Sequence, residues 1–416
     1  MSSPPNAHGT PRSLDTDALP WPHLQSSSSV ATGSTDSAGT NEVKMCDADS
    51  RVWSSLAWVD LGMAVTGAET VRVGSRDWTK KECYVEALRI DSNFSHAWYN
   101  LGVVMDAGET VGVGVRGWSK NECYAEALRI DPSYSHAWYN VGNTLVGAET
   151  VRIGSRDWTA KDCHVEALQI DPNFVDAWYN LGSMMAGTDT VRVGSRDWTK
   201  KECYAEALQI DPNFVDAWYN VGLSMTATET IRIGSRDWTT NECFVEAVRI
   251  DPGYSHAWYN LGNAMTATDT TRVGSRDWTT KECYAQALQI DPNFVDAWYN
   301  LGSVMVATET VYIGSRNWTT EECFVEALRI DPSYSKAWYN LGNAIAGAAT
   351  VCVGSRNWTP KECYAEALRF NPDFSDAWYN LGTAMTGTET VRVGSRDWTA
   401  KKCMAEALRI EKSVRR

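Results

Sequence analysis

One stretch, Ala177 to Asp216, returns every forty residues in both directions with small changes and no gap. Copies open at Ala57, Ala97, Ala137, Ala177, Ala217, Ala257, Ala297, Ala337 and Ala377, so nine repeats of one length run from Ala57 to Arg416. A fixed period of this size marks a solenoid or a propeller, in which each repeat buries its apolar face against the next. Length therefore sets no domain count, although 416 residues would otherwise suggest two or three domains. The expected organisation is a tail over 1–50 and a nine-repeat array over 51–416.

Composition narrows the partners. The net charge of −14 is spread along the array, which argues against nucleic acid, since duplex binding needs a positive footprint. Nine of the eleven cysteines recur at one place per repeat, from Cys83 to Cys403. A spacing of forty suits neither a zinc knuckle nor a disulfide framework, so these thiols are expected to be small buried hydrophobes and no metal or cofactor is expected. No window of about 18 apolar residues exists, and no membrane partner is expected. The N-terminus lacks an apolar signal segment, and free thiols suit a reducing compartment, so the expected location is cytoplasmic, with the nucleus left open. Residues 1–50 are rich in Ser, Thr, Pro and Gly and cannot bury enough apolar surface to offset ordering, so they are expected to be disordered. Leu19-Pro-Trp-Pro22 is a weak candidate docking motif within them.

Each repeat contains two helical patterns. Ala177, Trp178, Leu181 and Met185 stand at helical spacing, and Asp176 suits the positive end of that helix. The second helix announces its start with Thr199-Lys-Lys-Glu202, a capping box preceded by Trp198. It ends at Asp211-Pro-Asn213, which turns the chain into the next repeat. Between the helices, Val191-Arg-Val193 alternates like a strand. Strands pair at about 4.8 Å, closer than stacked repeats approach, so a sheet running across repeats is not expected. An ordered loop turned by Gly194 and its counterparts is expected instead.

Trp178, Leu181 and Gly182 on the first helix, then Tyr204, Ala207 and Pro212, resemble the tetratricopeptide repeat (TPR). The resemblance implies an all-α, right-handed superhelical solenoid of helix–loop–helix repeats whose concave face binds other proteins, often as extended peptides. Two features depart from the family. The repeat has forty residues rather than 34, with the six extra ones in the loop between the helices. The family's small residue early in the second helix is here mostly Lys or Thr, so Trp198 and its counterparts are expected to supply the substitute contact.

Two rows of residues carry candidate chemistry. Asn100, Asn140, Asn180, Asn220, Asn260, Asn300, Asn340 and Asn380 share one position on the first helix, with Asp60 in the first repeat. A carboxamide both donates and accepts, so such a row can hold a peptide backbone whatever its side chains. The resemblance implies the same use, as in the family's glycosyltransferase that modifies Ser and Thr with N-acetylglucosamine; the alternative is a purely local helix–helix bond. Arg76, Arg156, Arg196, Arg236, Arg276 and Arg396 belong to a row in the loop, where guanidinium groups could take acidic or phosphorylated partners. Asp197-type and Asp189-type carboxylates in the same loop offer them local pairing instead. Lys402 and Met404 break the pattern of the ninth repeat, and an apolar face left open there suggests self-association through that end. No histidine joins a nucleophile–base grouping, so no enzyme is expected. The leading expectation is a scaffold that holds extended segments of partner proteins; the second is an array that meets partners through its loop face.

Overall fold

The computed structural model describes residues 53–414 except 68, 267–268, 307 and 346–348. The tail expected over 1–50, with Leu19-Pro-Trp-Pro22, lies outside the described residues. The chain divides into two compact units, Met1–Pro212 and Asn213–Arg416.

In the first unit four repeats follow one plan, which the fourth shows. A leading helix spans Val175–Ser183, two strands span Thr190–Val193 and Arg196–Thr199, and a trailing helix spans Lys200–Ile210. The leading helix packs against the trailing helix of its own repeat, and each trailing helix packs on the next leading helix of the unit. The second unit repeats the plan, with leading helices from Val215–Ser224 to Ser375–Ala384 and trailing helices from Thr240–Ile250 to Ala400–Val414.

The expectation of an all-α, helix–loop–helix repeat is corrected here. The segment between the helices is a β-hairpin, with Val191 opposite Trp198, Arg192 opposite Asp197 and Val193 opposite Arg196. Pairing occurs inside each repeat, so the spacing between repeats never limits it. Gly194 (φ 62°) begins the two-residue turn in the left-handed region that only glycine enters without strain. In the first unit the hairpins of the second, third and fourth repeats lean on the trailing helix before them. In the second, Lys281 of one repeat pairs with Glu309 at 2.8 Å and Lys361 with Glu389 at 2.6 Å in the repeat that follows.

The caps follow the sequence closely. In the fourth repeat the Thr199 hydroxyl accepts the Glu202 N–H, and Glu202 Oε2 accepts the Thr199 N–H at 2.8 Å. The same reciprocal box starts the trailing helix of each of the first eight repeats, with Asp162 in place of Glu in the third. In the ninth, Lys402 occupies the position of that carboxylate, and the first turn of Ala400–Val414 holds no acid. Lys402→Glu is therefore expected to stabilise this end by about 1 kcal/mol, through a restored cap and a favourable helix dipole. Amide exchange over Ala400–Val414 would slow several-fold; an unchanged rate would refute the assignment.

The core is a stack of apolar layers. The nine recurrent cysteines, Cys83 to Cys403, are free and fully buried. Burial pushes the Cys203 thiol up to about 12, so it stays protonated and unreactive at neutral pH. Close approach of the two helices comes from glycine. A Cβ on Gly182 would stand 2.9 Å from the Tyr204 ring and 3.1 Å from the Lys200 carbonyl oxygen. The first trailing-helix residue has other work: Lys120 Nζ and Thr280 Oγ1 each donate at 2.9 Å to a carbonyl beyond the leading helix, Met105 O and Thr266 O. Trp198 packs on Trp178 with ring centroids 4.5 Å apart and planes tilted by 50°, the substitute contact expected of it.

Candidate functional site

The asparagine row stands on the leading helices, one helical turn after the buried alanine of each repeat. In the second compact unit, Asn260 Nδ2 donates to the Tyr219 hydroxyl of the preceding repeat at 3.0 Å. Asn300 repeats this with Tyr259 at 3.0 Å, Asn340 with Tyr299 at 3.2 Å and Asn380 with Tyr339 at 3.1 Å. A second donation from the same nitrogen reaches the next polar row. Asn300 and Asn380 give it to Asn263 and Asn343, each at 2.9 Å, and Asn340 to Ser303 at 3.3 Å. Both amide hydrogens of Asn300, Asn340 and Asn380 are thus engaged between repeats, leaving the oxygen to accept. Asn260 instead gives its second hydrogen to His256 O of its own helix at 3.1 Å, and its oxygen accepts from Asn263 Nδ2 at 3.3 Å. Asn220, first in this unit, donates to its own helix at Asp216 O, 2.9 Å away.

In the first unit Asn140 donates to Tyr99 at 3.2 Å, and Asn180 to Tyr139 at 3.2 Å and Asn143 at 2.9 Å. Asn180 is buried and Asn140 half-buried. Asn100 has no phenol to reach, because Val59 stands where later repeats carry tyrosine.

The tyrosines are held rigidly. Tyr259 lies 4.7 Å from Phe294, which caps the next leading helix, and 5.8 Å from Tyr284 of its own trailing helix, ring centre to ring centre. Burial pushes the Tyr219 phenol up to about 12, against the opposing effect of the Asn260 bond, so it accepts as a neutral hydroxyl. The face around the row in the second unit is mixed but mostly polar: Asp296, Ser303, Asn343 and Thr383 are exposed, with Leu223 and Tyr379 among them, while Met225, Met265, Met305 and Met385 are buried. The methionines belong to the core.

The arginine row has a different setting. Arg196 lies 4.1 Å over the Trp198 ring, and its guanidinium pairs with the capping Glu202. Arg76, Arg156, Arg236 and Arg276 repeat both contacts, pairing with Glu82, Asp162, Glu242 and Glu282. The capping carboxylate is their partner, whereas the hairpin carboxylate Asp197 pairs with Arg192 on the facing strand. The Thr239 N–H, with the Thr239 hydroxyl and Arg236, holds Glu242 below the usual carboxylate range. Such exposed pairs contribute little stability each, but they occupy the charge of the row. Arg396 stands in the ninth repeat, where Lys402 takes the position of the capping carboxylate. On the trailing helix there, Met404 and Leu408 are exposed, whereas Tyr364 and Leu368 of the eighth repeat are buried.

No protein-family model and no curated protein matches this chain. Among solved structures, it is similar to YrrB, described as a TPR protein with an unusual peptide-binding site, at 16% identity and a TM-score of 0.35. That alignment covers 53% of this chain and 98% of YrrB. It is also similar to MamA at 19% identity and a TM-score of 0.25, over 52% of this chain and 89% of MamA.

Sequence reasoning located the asparagines but missed their partners. The tyrosine row stands directly before the asparagine row in each repeat from the second onward, and the second polar row, with Asn263 and Asn343, three residues after it. Their joint recurrence was visible; the reach from one repeat's asparagine to the previous repeat's tyrosine needed the stacking. Among the described residues, no cluster of three or more His, Cys, Asp or Glu could hold a metal ion, and no helix is long and apolar enough to cross a membrane.

Proposed function

We propose that the chain is a binding scaffold whose leading-helix face holds extended segments of partner proteins, with no catalytic step. The observation that carries this reading is the run of Asn260, Asn300, Asn340 and Asn380, each fixed by a tyrosine of the preceding repeat on a half-exposed polar face. With both hydrogens of Asn300, Asn340 and Asn380 engaged inside the protein, these three members of the row offer carbonyl oxygens. An extended peptide presents backbone N–H groups at regular intervals, and these are the donors such a row accepts. Orientation is fixed before binding, which lowers the entropy lost on capture. The second reading, acidic or phosphorylated partners on the hairpin face, gains nothing from an arginine row already stacked on tryptophan and paired with carboxylates.

The test separates binding from stability, because alanine at these positions also removes bonds between repeats. Alanine at Asn260, Asn300, Asn340 and Asn380 together is expected to weaken partner capture at least tenfold with helical content retained. Phenylalanine at Tyr219, Tyr259, Tyr299 and Tyr339 removes the same inter-repeat acceptors but keeps the carboxamides, and should weaken capture less. Equal losses in the two sets, measured by titration of captured partners, would reduce the row to a structural role. Capture unchanged in the alanine set would overturn the groove reading.

A further inference from the structure

After the recurrent cysteine, the trailing helices place Tyr84, Tyr124, His164, Tyr204, Phe244, Tyr284, Phe324, Tyr364 and Met404 in turn. His164 is the exception in a position of phenols and apolar groups, with an ordinary pKa near neutral pH. Its side chain is fully buried, and both ring nitrogens lack a hydrogen-bond partner. The leading-helix backbone closes directly on it: a Cβ on Gly142 would stand 2.8 Å from the ring Cε1 and 2.9 Å from Nε2. Its ring centre lies 5.5 Å from that of Tyr139, whose hydroxyl accepts from Asn180.

We propose that His164 makes the third repeat an acid-sensitive joint, at which protonation opens the contact among helices Ser135–Thr144, Ala160–Ile170 and Val175–Ser183 before the rest of that compact unit yields. An imidazolium at this place would be a buried charge with two N–H donors and no acceptor, which burial makes untenable unless the helices part. No neighbour relieves it. The titratable groups on the surrounding elements are Lys161, Asp162, Cys163 and Glu166 on its own helix, His136 and Tyr139 before it, and Asp176 and Tyr179 after it. None of them influences the ring: desolvation is the sole cause that holds it at about 4, below the ordinary 6.5.

The sign follows from linkage. The open state takes up the proton more readily than the closed one, so closure is strongest above pH 6.5 and weakens as pH falls toward 4. Between pH 7 and pH 5 those two values raise the opening constant about 20-fold. The opening would pull Tyr139 from Asn180, so the most buried member of the asparagine row is the one exposed by acid. The joint stands on the histidine's surroundings alone and does not depend on what the row binds.

Hydrogen exchange on the full chain at pH 7 and pH 5, corrected for the intrinsic rate, tests it. Opening of the three helices is expected to rise about 20-fold in the wild type and to stay within about twofold in His164→Phe, which carries the residue of the fifth and seventh repeats. His164→Gln keeps a polar side chain that does not titrate and should be as flat as the Phe variant. An equal rise in wild type and His164→Phe, a Gln variant that responds like wild type, or a wild-type rise spread evenly over all helices would each overturn the proposal.

Discussion

Trp298→Ala is expected to destabilise the second compact unit by about 3–5 kcal/mol, the usual cost of removing a fully buried large aromatic. Trp298 is 2% exposed, and its indole N–H donates to Pro292 O at 2.9 Å, closing the turn that enters its helix. Its ring lies 4.5 Å from that of Trp318 on the hairpin. Trp318 in turn supports Arg316 at 3.6 Å, and Arg316 pairs with the capping Glu322 at 2.7 Å. The substitution therefore removes the floor of a three-tier stack as well as its own contacts. Because repeat arrays yield locally, the damage should centre on one repeat, with a lower unfolding midpoint in urea and a shallower slope. A loss below about 1.5 kcal/mol would mean that the tryptophan pair is peripheral.

His164→Tyr should act in the opposite direction. At pH 7 it removes two unpartnered buried nitrogens and places a hydroxyl near Asn143, as Tyr284 donates to Asn263 at 2.9 Å in the sixth repeat. A gain of about 1–3 kcal/mol follows from relieving an unsatisfied buried polar group. The difference between variant and wild type should then widen as acid is added. The histidine's values of about 4 folded and 6.5 free correspond to about 3 kcal/mol, present above pH 6.5 and lost on approach to pH 4. Urea titrations of both proteins at pH 7, 5.5 and 4.5 would show it. A constant difference across the series would assign the effect to packing alone.

The two helices of each repeat were legible because their starts and ends are local chemistry: a Thr–Glu box, a tryptophan before it, an aspartate after it. The hairpin was not read, although its signal was present. Arg192 and Asp197, five residues apart, change together along the chain: both become glycine at 112 and 117, Tyr312 faces Asn317, and Cys352 faces Asn357. Paired replacement at a fixed offset is what cross-strand neighbours show. The arginine row was misread in part because its carboxylate partner lies on the next element rather than in the same turn. For the asparagine row, identity and periodicity were plain at the outset; which hydrogens were already engaged depended on neighbours 37 and 41 residues away.

The hairpin turn also has a genealogical consequence. Each one is a seam at which like meets like, since the strand before it, the glycine that makes it and the strand after it recur with the period of the whole repeat. Excising residues 275–314 would join Gly274 to Ser315 and rebuild the same turn, with Val273 facing Arg316 in place of the present Val273–Arg276 and Ile313–Arg316 pairs. Crossing-over between such seams changes the chain by whole repeats, and each repeat gained or lost adds or removes one asparagine of the row. Length of the asparagine row and length of the gene would then vary in the same step.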